Sequence, residues 1–294
     1  MKSQEKQYRD LRNVDDEALL SEIISTGGKL GILAGSGRFP LIVAREAKAR
    51  GIDSYVVAHR GETTQELEEE VKLLQWVKLG ELGKLISFFL EHQIRYLVLA
   101  GGISRVRAFG VKLDLRGAAL LARIRSFKDD KIMRGIAAEL AKEEIEVVPC
   151  TLFLKEALAP EGLIASREPS KEELQDIQIG KDAIAAMRGQ HIGQCVVVRE
   201  GVVVAVEAVE GTDAAILRGG ELGGKGTTVV KFAKPDQDMR FDVPTVGPKT
   251  IETMVQTGAR VLALEAGRCV ILDKEDTLRL AKKHKIAIMG CSAI

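Results

Sequence analysis

The sequence predicts an α/β protein: a Rossmann-like amino-terminal domain built on a parallel sheet, followed by a second α/β domain with a mixed sheet. Three observations carry this expectation. Apolar runs of strand length alternate with helical patterns and end in glycine-rich turns, as at Leu30–Ala34 before Gly35-Ser36-Gly37 and at Tyr96–Ala100 before Gly101-Gly102. Hydrophobic residues make up 46% of the chain but aromatics only 4%, which leaves the core to Val, Ile, Leu and Ala. The 294 residues suffice for two domains, each with a core of its own.

Taken in order, residues 1–27 are charged up to Asp16. They then place Leu19, Leu20, Ile23 and Ile24 at helical spacing, which predicts an extra helix packed on the first domain. The domain proper, expected over 28–160, opens with the strand Leu30–Ala34, the Gly35-Ser36-Gly37 turn, and a helix through Leu41, Ile42, Ala44 and Ala47. Pro40 stands early in that helix and Gly51 stops it. Strands follow near Ser54–Ala58 and Leu74–Leu79, then a helix from Glu81 to His92, the strand Tyr96–Ala100, a helix from Asp130 to Lys142 and a strand at Glu146–Val148. In a sheet of this kind ligands bind beyond the carboxyl ends of the strands, here Gly35 to Arg38 and Gly101 to Arg105.

The stretch from Glu156 to Lys171, with Pro160, Gly162 and Pro169, has little periodicity, so the domain boundary is expected there. The second domain, over 161–294, starts with a helix through Ile177, Ile179, Ala183 and Met187. Two strands, Cys195–Val198 and Val202–Val206, then read as a hairpin with a tight turn.

Composition excludes several function classes. The 43 Lys and Arg against 42 Asp and Glu give a formal charge of +1, which argues against a partner chosen by bulk charge, nucleic acid above all. The cysteines, Cys150, Cys195, Cys269 and Cys291, form no CxxC pair and are expected as reduced, buried thiols. The first residues are polar and no run approaches the ~20 apolar residues of a membrane span, so a secreted or transmembrane protein is not expected. His59, His92, His191 and His284 show no metal spacing, and no GxSxG elbow exists.

Four stretches could carry chemistry. The Gly35-Ser36-Gly37-Arg38 turn could hold a phosphate on its backbone amides, but Pro40 replaces the third glycine of a dinucleotide fingerprint, which disfavours hydride chemistry; a merely tight turn is the alternative. Gly219–Gly226 (GGELGGKG) resembles a phosphate loop only until Gly226 stands where Ser or Thr is needed. A flexible connector is expected.

Lys231–Pro248 gathers three acids, three bases and three prolines in one expected loop, a set that could hold a divalent cation through oxygen and phosphate through Lys231, Lys234 and Arg240. The alternative is a solvated surface loop of paired charges. In Glu207–Asp213, Thr212 or Asp213 is either a helix N-cap or a neighbour of a bound metal or phosphate. Asp129 and Asp130, at the start of a helix, read as caps.

Together the ordered motifs KLGILAGSGRFP, LAGGISR, KDDKIMR, EGTDAAI, KFAKPDQDMRFDVPTVGPKTI and EAGRCVILD resemble the UDP-2,3-diacylglucosamine pyrophosphatases of the LpxI type over about residues 29–291. The chain departs from the expected pattern in its first 27 residues, at Gly102 where Asn is expected, and at Arg38-Phe39. The resemblance implies a cytoplasmic enzyme of lipid A biosynthesis, with room for peripheral contact with the inner membrane and for a homodimer. It implies hydrolysis, dependent on magnesium, of an acylated UDP-sugar to UMP and 2,3-diacylglucosamine 1-phosphate.

The Asp of the R-x-D-x-P core, Asp242, is implied as the catalytic carboxylate. Gly35, Gly37, Arg38, Gly101 and Gly102 would face the nucleotide, and Thr212 and Asp213 would come to the same cleft. Gln194, Lys231, Lys234 and Arg240 complete the expected substrate contacts, and Asp242, Asp238 and Asp213 are the expected magnesium ligands. A nucleotide-sugar-binding regulatory protein without chemistry is the chief alternative, and an NADP-dependent reductase using Arg60 is another.

Overall fold

The structure is a computed structural model that describes residues 16–102, 112–124, 129–187, 192–234, 238–241 and 243–293, with the backbone alone at 129 and 130. The chain divides into two compact units, Met1–Leu154 and Lys155–Ile294.

The first unit opens with α1 (Asp16–Ser25), which buries Leu19 and Ile23 and leaves Ile24 to solvent. There follow β1 (Lys29–Ala34), α2 (Phe39–Ala49), β2 (Asp53–His59), β3 (Leu73–Val77), α3 (Leu82–Glu91), β4 (Tyr96–Ala100), α4 (Leu115–Ile124), α5 (Asp129–Lys142) and β5 (Glu146–Val148). The sheet is parallel throughout, in the order β3-β2-β1-β4-β5. Each pair is joined by a crossover connection, the geometry that strands apolar on both faces require. Pro40 sits in the first turn of α2, where its missing N–H costs nothing.

Helix α4 has no counterpart in the expected elements. It buries Gly117 and Leu120, leaves Leu115 92% exposed, and sets Leu120 and Ile124 against Gly135 of α5. Charge adds to that contact through Arg123, which pairs with the buried Glu139 beside Lys142 at 2.7 Å.

The second unit contains β6 (Gly162–Ala165), α6 (Lys171–Ala186), β7 (Cys195–Arg199), β8 (Val202–Val206), α7 (Thr212–Gly223), β9 (Thr228–Lys231), β10 (Thr245–Val246), α8 (Pro248–Thr257), β11 (Val261–Glu265), β12 (Val270–Ile271), α9 (Lys274–Lys283) and β13 (Ala287–Cys291). Its main sheet is mixed, in the order β6-β13-β11-β9-β7-β8, with β9, β11 and β13 parallel and β6 and β7 running against their neighbours. Val197, Val229, Leu262 and Leu264 pack with Ile216 of α7 and with Ile251 and Met254 of α8 on one face. Val196, Val198, Val230 and Ala263 pack with Ile177 and Ile184 of α6 on the other. That alternation is the period-2 pattern of a sheet covered on both sides.

Three expectations need correction here. The boundary expected at 160, within Glu156 to Lys171, falls after Leu154, and the stretch belongs to the second unit: Gly162–Ala165 forms the edge strand β6 against β13, and Ala159 N donates to Cys269 O at 2.8 Å. GGELGGKG is not a flexible connector either. It is the last turns of α7 and a turn leading into β9, and its glycines answer to packing, since a Cβ at Gly219 would lie 2.7 Å from Val197 and one at Gly220 would lie 2.4 Å from Thr257. Lys231, counted in the expected loop although Thr227 to Lys231 reads as strand-like, is the final residue of β9.

Candidate active site

In the first unit β1 and β4 are neighbours whose crossovers leave toward opposite edges, so the strand order reverses between them. Two glycine turns meet there. Gly35 N donates to Ala100 O at 2.8 Å, and Ser36 N and Oγ both donate to Gly102 O, at 2.7 and 2.9 Å. A Cβ at Gly35 would stand 2.3 Å from Gly102 O, and one at Gly101, which has φ 86°, would stand 2.4 Å from Ser36 O. The turns are glycine because two backbones touch.

Gly37 and Arg38 are exposed and lead into α2, whose first amides receive no side-chain cap. Behind them, Ala34 O accepts from Thr63 Oγ1 at 2.8 Å and lies 3.1 Å from Nδ1 of the buried His59. A carbonyl only accepts, so Nδ1 carries the proton. Burial holds the His59 pKa below its ordinary value, against the pull of that carbonyl and of Glu62.

In the second unit the carboxyl ends of β8, β9 and β11 and the start of β7 lie on one edge of the sheet, because β7 runs antiparallel to its neighbours. That topology brings Gln194, Glu207, Lys231 and Glu265 to the same edge. Lys231 is only 4% exposed, and its Nζ donates to Thr212 Oγ1 at 2.5 Å. Thr212 in turn lies 2.9 Å from Glu207 Oε1, and Glu207 Oε2 accepts from Gln194 N at 3.0 Å. The Gln194 side-chain oxygen is buried without a hydrogen-bond partner among the described residues.

On the other side of Lys231, the buried Glu265 accepts from Ala233 N at 2.8 Å and meets Arg268 at 2.9 Å, which fixes the strand exit. Cys269 Sγ donates to Lys231 O at 3.2 Å. Burial pushes the Cys195 and Cys269 thiols up to about 12, so both are protonated, and the cysteines of the chain are free thiols as expected.

The expected residues therefore divide. Thr212, Lys231 and Gln194 come together around Glu207. Thr212 is not an N-cap, since Gly211 takes that position without a side-chain bond and the hydroxyl serves Lys231 and Glu207. Asp213 pairs with Lys249 at 3.2 Å. Asp238 and Arg240 pair with one another, Nε to Oδ1 at 2.9 Å and Nη2 to Oδ2 at 2.7 Å, with the guanidinium 4.8 Å from the Phe241 ring centre. Lys234 is half-buried at the start of the same loop.

Asp242, residues 235–237, residues 103–105 and His191 lie outside the described residues, as do the side chains of Asp129 and Asp130. Glu207 and Glu265 were not among the expected site residues. Their signal is a lone acid closing an apolar strand, VVVAV-E and VLAL-E, on the edge where ligands bind.

The chain matches the model of the LpxI N-terminal domain over residues 29–157 and that of the LpxI C-terminal domain over residues 160–289. The chain belongs to the LpxI family. A curated LpxI relative, the UDP-2,3-diacylglucosamine pyrophosphatase LpxI of Caulobacter vibrioides (strain ATCC 19089 / CIP 103742 / CB 15), is 30% identical over 273 residues, 89% of this chain and 97% of the relative. Two solved structures resemble the chain far less. The biotin carboxylase domain of the Hydrogenobacter thermophilus 2-oxoglutarate carboxylase is 12% identical over 62% of this chain and 38% of its own, with a TM-score of 0.27. The gox2253 structure is 10% identical over 91% of this chain and 90% of its own, with a TM-score of 0.30. Neither likeness bears on this LpxI chain's fold or chemistry.

Proposed function

We propose that this LpxI chain hydrolyses the pyrophosphate bond of UDP-2,3-diacylglucosamine to UMP and 2,3-diacylglucosamine 1-phosphate in lipid A biosynthesis, with magnesium as cofactor. The observation that carries the reading is continuity. Both domain models match in order, and the pyrophosphatase of that name aligns with 97% of its length.

The geometry supports a phosphoanhydride as substrate. A buried ammonium whose recorded hydrogen bond among the described residues goes to a neutral hydroxyl calls for an anion, and a pyrophosphate diester supplies one. Lys231 would neutralise charge that grows on a phosphoryl oxygen, and Asp242 would orient the attacking water. In the first unit the exposed Gly37-Arg38 turn, at the uncapped start of α2, would face the nucleotide.

Magnesium, when bound, would offset charge on the phosphoanhydride. Among the described residues no three His, Cys, Asp or Glu side chains converge as a metal site. Asp213 suits a hard cation, because its carboxylate is a hard oxygen donor that meets Lys249 through Oδ2. Asp238 suits one less, since Arg240 engages both of its oxygens. Asp213 and Asp242 are thus the ligands we favour. No described helix is long and apolar enough to cross a membrane.

The test is UMP release from UDP-diacylglucosamine with magnesium, with EDTA, and by Asp242→Ala. We expect release only in the first case, with the variant folded and still binding substrate. Turnover of Asp242→Ala near that of the wild type would sink the assignment, and turnover unaffected by EDTA would remove magnesium from it. Running the reaction in ¹⁸O water and locating the label in UMP or in the sugar phosphate identifies the phosphorus attacked.

A further inference from the structure

Lys231 can only donate hydrogen bonds, and a threonine hydroxyl has a single hydrogen. At 2.5 Å from Lys231 Nζ, Thr212 Oγ1 must therefore accept. Its hydrogen then goes to Glu207 Oε1 at 2.9 Å, so the carboxylate decides which way the hydroxyl points. Glu207 is itself fixed from several sides. It is 8% exposed, its Oε2 takes Gln194 N at 3.0 Å, its carbonyl takes Gly193 N at 2.9 Å, and its own N–H goes to Cys195 O at 2.8 Å. A Cβ at Gly193 would lie 2.4 Å from the Glu207 carbonyl oxygen, so this grip needs a glycine there.

We propose that Glu207 is a positioning residue. Through the Thr212 hydroxyl it aims the lone pair that holds the Lys231 ammonium at the carboxyl edge of the sheet, ready for a phosphoryl oxygen. The inference rests on the phosphoanhydride reading above. A purely structural Glu207 would satisfy the Gln194 amide and nothing more. A glutamine in its place cannot do both jobs: if its oxygen keeps Gln194 N, its amide N–H faces Thr212, and the hydroxyl is then offered two donors, with its own hydrogen left over.

The test compares Glu207→Gln, Thr212→Val, Thr212→Ser and the double variant Glu207→Gln/Thr212→Val by steady-state UMP release and thermal melting. We expect Glu207→Gln and Thr212→Val each to melt within about 4 °C of wild type and to lose about 10- to 100-fold in kcat with KM changed less than about 3-fold. Thr212→Ser, which keeps the hydroxyl, recovers most of the turnover that Thr212→Val loses. The double variant loses no more than the worse single one, because the two groups act as a unit.

Wild-type kcat in Glu207→Gln overturns the inference, and so do losses that multiply in the double variant. Should Glu207→Gln fail to fold, the contrast between Thr212→Val and Thr212→Ser decides: equal turnover in the two overturns the inference, and loss in Val alone supports it. Absence of UMP release from the wild-type protein overturns the function reading together with this one, whereas wild-type turnover retained by Glu207→Gln and Thr212→Val overturns this one alone.

Discussion

Lys231 holds a charge almost wholly out of water, against one hydroxyl partner among the described residues. The buried Glu207 carboxylate lies one hydroxyl away, 2.9 Å from Thr212 Oγ1, so removing the ammonium leaves a buried acid without its nearby cation. The substitution Lys231→Met should therefore lower the melting temperature while UMP release falls by about 100- to 1,000-fold, the size of loss seen when one preorganised charge-stabilising donor is removed. A thermal melt beside a turnover assay checks it, and an unchanged or higher melting temperature, or intact turnover, would contradict it. The residue types of this site were legible in the sequence only in part. Lys231 and Thr212 stand out because their motifs are dense in polar residues, whereas Glu207 and Glu265 are single acids after apolar strands, and their roles depend on which strands are neighbours. Nothing in the local sequence says that β7 runs against β9 and so carries Gln194 to the edge where Lys231 ends.

Among the elements, α7 shows most directly how packing overrules composition. Its glycines suggested a flexible connector, yet Gly219 and Gly220 lie within the helix, against Val197 of β7 and Thr257 of α8. Alanine would gain about 1 kcal/mol of helix propensity, but a Cβ 2.7 Å from the Val197 side chain forces repacking that costs about 1–3 kcal/mol. We expect Gly219→Ala to destabilise the protein and Val197→Ala to relieve part of that loss in the double variant, read by denaturant unfolding. Additive losses would show that the contact is not the cause. The strands β1 and β4 of the first unit were legible because each is a continuous apolar run that ends in a glycine turn. Strand β6 was not, being a four-residue edge strand inside a stretch rich in proline and glycine. Nor was α4, a short helix whose apolar face is set by Leu120 and Ile124 against Gly135 of α5.

At the scale of the whole molecule, the two units should respond differently to acid. His59 belongs to the first unit and its folded pKa lies below the ordinary 6.5, so the unfolded chain takes up a proton before the folded one does. This group's contribution is complete above pH 6.5 and is lost as pH falls through the lowered folded value. Between pH 7.5 and 5.5 the first unit should lose more stability in the wild type than in His59→Gln, whose amide can still donate to Ala34 O. Hydrogen exchange resolved by segment measures this, and equal losses in the two proteins would remove His59 as the cause. Length predicted two parts, and the aperiodic stretch from Glu156 to Lys171 put the expected boundary at 160, whereas the units divide after Leu154. The place of the first residues after Leu154 was not legible, because they are held by Cys269 and β13, far along the chain.

That pairing of β6 with β13 also sets an order of events on the ribosome. The first unit's strands pair with others from the same half of the chain, so it can close while the rest is being made. The second unit begins with a strand whose hydrogen-bonding partner is translated last of all its strands, so its sheet waits, with one edge unpaired, for nearly the whole unit to emerge. Slow translation or premature termination before Ala287 would leave that apolar edge open to other chains.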